Sequence, residues 1–423
     1  MKRNPIITLI LLAVLMAACR KQYSVVQPST QWDQFDAATT LPRTARAPLE
    51  GVYNFSDGAV TFGNAAAAKW SYTVNGTDTT YQLSFFCEKD IAYFICEGKR
   101  MDSTILLNGY WRKMANTQSG RVRLTVSAAQ GGALVLRGGT IGADSIRITG
   151  SFGAGDNVPD QPLALRWARR LYNARPLEIV VHRGGGQTAD LLAASENSAE
   201  IIPLAAAFGA TGIEIDVRLT SDGVPVLYHD ADLSERLIKK NGMVGPIESY
   251  TYAQLNGLVR LIRNGEHIPT LRQALDNFVY RTPLTYVWLD TKFDGPLDSL
   301  RALQVEYTQR AAAIGRHVEI TIGIPNEDVL DHFKALPNYR NIPSVCEMDI
   351  QDVQDVNSTI WGPRWTLGLQ NDKVDAMHAQ GRRAFVWTLD IPENILQFMT
   401  DGHFDGILSN YPSVVAYYHY AQQ

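Results

Sequence analysis

Three short segments carry side chains suited to acid–base and phosphate chemistry: Val181-His182-Arg183-Gly184-Gly185-Gly186, Glu214-Ile215-Asp216 and Tyr228-His229-Asp230. A fourth, Leu289-Asp290-Thr291-Lys292, repeats the alternating placement of charge. Imidazole titrates near neutral pH, so His182 and His229 are a candidate base and acid. Arg183 offers a planar fork to nonbridging phosphate oxygens, and Lys292 a point charge. Residues two apart in a strand share a face, which turns Glu214 and Asp216 the same way while Ile213, Ile215 and Val217 pack behind them. Oxygen ligands from Glu214, Asp216 and Asp290, without a thiolate or histidine cluster, specify a hard cation, Ca2+ or Mg2+. Three carboxylates and a phosphodiester anion balance a divalent ion, Arg183 and Lys292. The glycines at 184–186 leave room for close approach, with backbone amides as further phosphate donors. Cleavage of a phosphate ester uses all of these groups.

Each reactive group lies in, or at the end of, a short β-branched run, the pattern of buried parallel strands. Such runs occur near 178–182, 213–217, 224–229, 285–291, 318–323, 343–349, 384–389 and 405–409. Helical patterns separate most of them, among others at 197–208, 270–278, 297–314, 328–336 and 373–380. Strand–helix alternation with chemistry at strand ends predicts an α/β fold, a TIM (β/α)8 barrel over 163–423. An open doubly wound sheet is the alternative, because periodicity does not show closure. A short amphipathic helix at 163–172 is expected to lead into the barrel.

Residues 47–155 follow another pattern. Alternating runs at 70–74, 81–86, 92–95, 121–126, 133–136 and 145–148 are separated by turn residues, Asn75-Gly76 and Gly131-Gly132 among them. They predict an all-β sandwich or small barrel. Its aromatic residues are either core or a glycan or lipid-headgroup site.

A chain of 423 residues exceeds one core, which agrees with two folded units and a leader. A formal charge of −4 with no basic run argues against nucleic-acid binding. Lys2 and Arg3 precede an apolar run, 6–18, too short to span a bilayer comfortably and fit for an export signal. Ala17-Ala18-Cys19 resembles a bacterial lipobox, with Met16 in place of the more usual leucine. That resemblance implies a signal peptide over 1–18, lipidation of Cys19 and anchorage in a bacterial cell envelope, with a polar tether over 19–46. The alternative is an ordinary secretory signal. Export permits a disulfide between Cys87 and Cys96, or two buried thiols; Cys346 lies in an apolar run and reads as core.

From residue 178 to 420 the sequence resembles the glycerophosphodiester phosphodiesterase family. The resemblance rests on His182-Arg183-Gly184, Glu196-Asn197-Ser198, Glu214-Ile215-Asp216-Val217, Thr220-Ser221-Asp222-Gly223, the stretch 224–230, Asp290, Lys292, Trp387-Thr388 and Asp405-Gly406-Ile407-Leu408-Ser409-Asn410-Tyr411-Pro412. It implies a TIM barrel and a divalent cation held by Glu214, Asp216 and the position of Asp290. Acid/base roles fall to His182 and His229, with a cyclic phosphate formed before hydrolysis. The substrate class it implies is small glycerophosphodiesters, cleaved to an alcohol and glycerol 3-phosphate. Two residues depart from the family pattern. Asp290 stands where glutamate is usual and is one methylene shorter; Asp390 stands where asparagine is common and adds a negative charge near the mouth. Trp387 is expected as an apolar wall for substrate, or as barrel core. Asn197 either caps a helix or, with Glu196, orients His182 or Arg183. Other readings are a phosphoinositol or sphingolipid diester as substrate, and a non-catalytic lipoprotein that binds a glycan or lipid.

Overall fold

The computed structural model describes residues 27–422, so the export signal and Cys19 lie outside the described residues. The first domain is an antiparallel meander. Its strands are β1 (Thr39–Thr40), β2 (Gly51–Asp57), β3 (Ala65–Asn75), β4 (Asp78–Cys87), β5 (Ala92–Met101), β6 (Thr104–Lys113), β7 (Ser119–Val126), β8 (Arg147–Phe152) and β9 (Gln161–Arg169). Strands β2 to β9 each pair with the next, and β2 also pairs with β9, which closes a barrel; β1 adds to β5. The small-barrel alternative therefore holds. Phe62 sits at its centre, with Phe94, Phe152 and Trp111 at ring-centroid distances of 4.6, 4.9 and 5.6 Å. These aromatics are core.

Three boundaries differ from expectation. The segment 163–172 is not a helix: Leu163, Leu165 and Trp167 are buried at every second residue, the period of strand β9, so the first domain extends to Arg169. Residues 133–136 are not a strand but part of a short helix, Gly132–Leu136, begun after the left-handed Gly131. The described part of the expected tether packs on the barrel, with Phe35, Leu41 and Ala45 buried. Cys87 and Cys96 are buried free thiols.

The second domain is a closed parallel barrel. Among the described residues its eight strands are β10 (Glu178–Val181), β11 (Gly212–Leu219), β13 (Tyr286–Thr291), β14 (Glu319–Ile324), β15 (Ser344–Cys346), β16 (Ile360–Trp361), β17 (Arg383–Val386) and β18 (Gly406–Ser409). They pair in that order and close from β18 to β10. The run near 224–229 is not a barrel strand. As β12 (Pro225–Leu227) it folds back antiparallel on β11, and the two-residue β16 completes the barrel instead.

The expected helix at 197–208 does not form. Between β10 and β11 the chain makes 3-10 turns at His182–Gly184, Thr188–Asp190 and Ile202–Leu204. Pro203 removes a backbone donor there. The first domain covers the segment: Ala67, Phe86, Tyr93, Ile95 and Met114 join the same buried cluster as Ile201, Ile202, Ala205 and Phe208. Ser84 Oγ donates to Ala207 O at 2.7 Å and Thr73 Oγ1 to Pro203 O at 2.9 Å. A β-sheet face thus does the packing usually left to a helix.

Candidate active site

Residues at the C-terminal ends of the barrel strands converge on one mouth, where loops of this fold carry chemistry. His182 and Arg183 follow β10, Glu214 and Asp216 lie on β11, and Asp290 and Lys292 lie at the end of β13. Register sets Asp216 directly beside Asp290, and Lys292 N–H continues the ladder to Val217 O at 2.9 Å. His229 leaves β12, whose next residue, Tyr228, bonds Asp216 O at 3.1 Å. The hairpin, rather than a neighbouring barrel strand, brings His229 to the mouth.

Carboxylate oxygens of Glu214, Asp216 and Asp290 lie within 4.8 Å of one another. Glu214 Oε1, Asp216 Oδ1 and Asp290 Oδ1 are buried with no hydrogen-bond partner among the described residues. Buried carboxylate oxygens without partners are costly, and a hard cation is the partner that satisfies three at once. The donor set fits a hard divalent cation, and the shorter Asp290 still brings a carboxylate oxygen within 4.8 Å of the other two. Burial, with Asp216 and Asp290 adding to it, pushes the Glu214 carboxyl well above its usual range. Burial also raises Asp290. Asp216 is lowered: burial opposes its charge, but Lys292, His229, His182 and Arg183 outweigh burial. Lys292 donates to Asp290 Oδ2 and stands 3.4 Å from Asp216 Oδ1. Burial works against its cation, and the three acids hold it well above the usual ammonium value.

Arg183 adopts a left-handed backbone, φ 55°, that aims its N–H at Glu214 Oε2, 2.8 Å away. Its guanidinium donates to Glu196 Oε1 at 2.7 Å, and its Nε makes no hydrogen bond among the described residues but stands 3.9 Å from Asp216 Oδ2. Glu196 is buried and also receives Arg236 at 2.9 and 3.0 Å and Thr188 N–H at 2.8 Å. Asn197 caps no helix. Its Nδ2 donates to Asp216 Oδ2 at 2.6 Å, and its Oδ1 accepts from Asp216 N–H at 3.1 Å. Of the two readings the sequence allowed, it orients, but its object is Asp216.

Burial and the Arg183 cation push the His182 imidazole down to about 3, so it is neutral at pH 7. Its Nδ1 lies 3.0 Å from Asn410 Oδ1 and its Nε2 3.7 Å from Glu214 Oε2. His229 Nδ1 donates to Asp230 Oδ1 at 2.9 Å, and its ring is about one-third exposed. Burial opposes the Asp230 charge, but hydrogen bonds from Arg236, Ser234 and His229 hold its carboxyl far below the usual range. Trp387, at the end of β17, is half-buried. Its Nε1 donates to Gly362 O at 2.7 Å and Arg364 lies 4.9 Å from the ring centroid. Packing against the core cluster of Trp288, Phe385 and Val345 places it at the wall of the mouth.

Sequence reasoning missed Glu347 and Arg236. Glu347 follows β15, and burial together with Asp290 raises its carboxyl well above the usual range. An acid directly after an apolar strand was the available signal. Arg236 joins Glu196 to Asp230 and so ties the Arg183 side of the mouth to the His229 side. No local pattern marks it.

Fold and site define a class: an α/β barrel whose C-terminal mouth combines a cation-ready carboxylate triad, two fixed positive charges and two histidines. Residues 182–333 match the model of the glycerophosphoryl diester phosphodiesterase family. Glycerophosphodiester phosphodiesterase 1 of Rattus norvegicus is 30% identical over 154 residues, 35% of this chain and 45% of the relative. Its Mus musculus counterpart is 34% identical over 154 residues, 35% of this chain and 44% of the relative. The chain thus spans less than half the length of these curated relatives. A crystal structure of a glycerophosphodiester phosphodiesterase from Parabacteroides distasonis is 24% identical, covers 59% of this chain and all of its own, and superposes with a TM-score of 0.46.

Proposed function

We propose that this protein hydrolyses glycerophosphodiesters to an alcohol and glycerol 3-phosphate. The observation that carries the reading is one mouth with three buried carboxylate oxygens that lack a hydrogen-bond partner, on Glu214, Asp216 and Asp290, beside Arg183, Lys292, His182 and His229. Arg183 and Lys292 orient the diester anion and offset its charge. His182 Nε2 takes the proton of the substrate hydroxyl next to the phosphate as that oxygen bonds to phosphorus. The bond to the leaving alkoxide breaks, and His229 Nε2 supplies its proton while Asp230 holds Nδ1–H. The product of this step is a cyclic phosphate. In the second step the roles reverse: a water oxygen bonds to phosphorus as His229 takes its proton, the ring P–O bond breaks, and His182 returns its proton to the departing ring oxygen. A hard divalent cation, Ca2+ or Mg2+, on Glu214, Asp216 and Asp290 supplies Lewis-acid polarisation of the phosphoryl group when bound.

We place the protein in a bacterial cell envelope, anchored through a lipidated Cys19. The apolar run 6–18 and Ala17-Ala18-Cys19 support this part of the reading. Among the described residues no helix is long and apolar enough to cross a membrane.

Product analysis over a panel of glycerophosphodiesters, with Ca2+, with Mg2+ and with EDTA, tests the reaction. Metal-dependent release of glycerol 3-phosphate is expected. Full release in EDTA would overturn the role given to the triad, and no release from any member would overturn the substrate class.

A further inference from the structure

At the ends of β17 and β18, Asp390, Ser409 and Asn410 form a polar chain that reaches His182. Asp390 Oδ1 accepts Asn410 N–H at 2.8 Å and Ser409 Oγ at 3.2 Å, and Oδ2 accepts Asn410 Nδ2 at 2.6 Å. Leu389 N–H bonds Leu408 O at 3.0 Å, which keeps the two strand ends level. Both oxygens of Asp390 are thereby engaged within the wall by Ser409 and Asn410.

The donors and acceptors leave one arrangement. A carboxylate only accepts, so Asn410 must turn its amide nitrogen to Asp390. Its Oδ1 then faces His182 Nδ1, 3.0 Å away. An oxygen acceptor there requires the proton on Nδ1, and a neutral imidazole so protonated carries its lone pair on Nε2. Nε2 is the nitrogen that faces the carboxylate cluster, 3.7 Å from Glu214 Oε2.

We propose that Asp390 is a positioning residue that acts through Asn410 to hold His182 in the tautomer basic at Nε2. The proposal rests on reading His182 as the base. Asp390→Asn sets an amide donor against the Asn410 donor. Asn410 relieves this by turning over, its nitrogen meets Nδ1, and the His182 proton moves to Nε2. Asn410→Asp alone puts two carboxylates in contact. The exchange of both, Asp390→Asn with Asn410→Asp, restores every bond: the introduced amide donates to the introduced carboxylate, which accepts from His182 Nδ1–H.

Two readouts on the full chain test this. The first is the tautomer of His182, from nitrogen NMR of histidine-labelled protein without substrate. Wild type and the double exchange are expected to carry the proton on Nδ1, and Asp390→Asn on Nε2. The second is turnover of a glycerophosphodiester. Asp390→Asn should lower kcat by roughly tenfold or more with KM nearly unchanged, and the double exchange should return to within about threefold of wild type. A wild-type proton on Nε2 would overturn the proposal without any variant. So would a folded double exchange no faster than the slower single. If wild type turns over no glycerophosphodiester, the reaction reading fails and the NMR result still decides the relay.

Discussion

Asn197→Ala is the substitution whose cost follows most directly from the site. The wild-type side chain makes two buried bonds to one residue, Nδ2 to Asp216 Oδ2 at 2.6 Å and Oδ1 from Asp216 N–H at 3.1 Å. Each partner left unsatisfied in a buried setting costs about 1–3 kcal/mol. Asn197 also has a left-handed backbone, φ 56°, where alanine pays roughly 1–2 kcal/mol. Arg183 Nε, 3.9 Å from Asp216 Oδ2, can close on that oxygen and recover part of the loss. The expected net destabilisation is about 3–5 kcal/mol, which lowers Tm by roughly 6–20 °C in a domain of this size. Asn197→Gly relieves the backbone term only and should fall about 1 kcal/mol less far. Thermal and denaturant unfolding of the full chain measure both. A shift under about 2 °C for Asn197→Ala, or glycine less stable than alanine, would refute the reasoning that Asn197 holds Asp216.

Ca2+ or Mg2+ should raise Tm, because a ligand at a hundred times its Kd adds about 2.7 kcal/mol to folding; Glu214→Gln with Asp290→Asn should abolish the shift, and persistence of the shift in that variant would locate the cation elsewhere. Arg112, buried on β6, donates to the carbonyls of Asp190 and Leu191 across the domain boundary. Arg112→Gln should lower stability by about 2–4 kcal/mol, since hydrogen bonds from charged groups contribute roughly 1.5–3 kcal/mol each; unchanged unfolding would show that the two domains do not depend on this strut. Burial raises the Asp190 carboxyl from 3.8 to about 6. The folded state therefore holds a proton the unfolded chain has lost, and this group's contribution to stability falls as pH rises from about 4 to 6. Asp190→Asn should flatten that part of the stability–pH curve, and an unaltered curve would contradict the shift.

Much of the site was legible because strand grammar and reactive side chains coincide. Glu214 and Asp216 stand two apart in a β-branched run, and Asp290 follows the run that pairs with it, so both periodicity and chemistry point to one face. Closure was not legible. The sixth barrel strand is Ile360–Trp361, two residues in a stretch with no alternation, whereas the stronger-looking run at 224–229 turns back as a hairpin partner. The missing first helix has a tertiary cause. Residues 197–208 read as helical, yet the sheet face bearing Phe86 and Tyr93 buries Ile201, Ile202, Ala205 and Phe208 within turns. Strand β9 reads as a helix although Leu163, Leu165 and Trp167 alternate, because three alternating positions are too few to outweigh its place ahead of the barrel. Arg236 depended on a long-range partner, since its ion pair with Glu196 joins residues 40 apart.

Whether the two histidines carry the reaction is decided by the kcat of His182→Ala and His229→Ala for glycerol 3-phosphate release, in proteins that keep the wild-type Tm and its rise with added cation. Turnover should fall by a factor of roughly a hundred or more in each. Near-wild-type turnover in either folded, cation-responsive variant would contradict the assignment of the two histidines as base and acid.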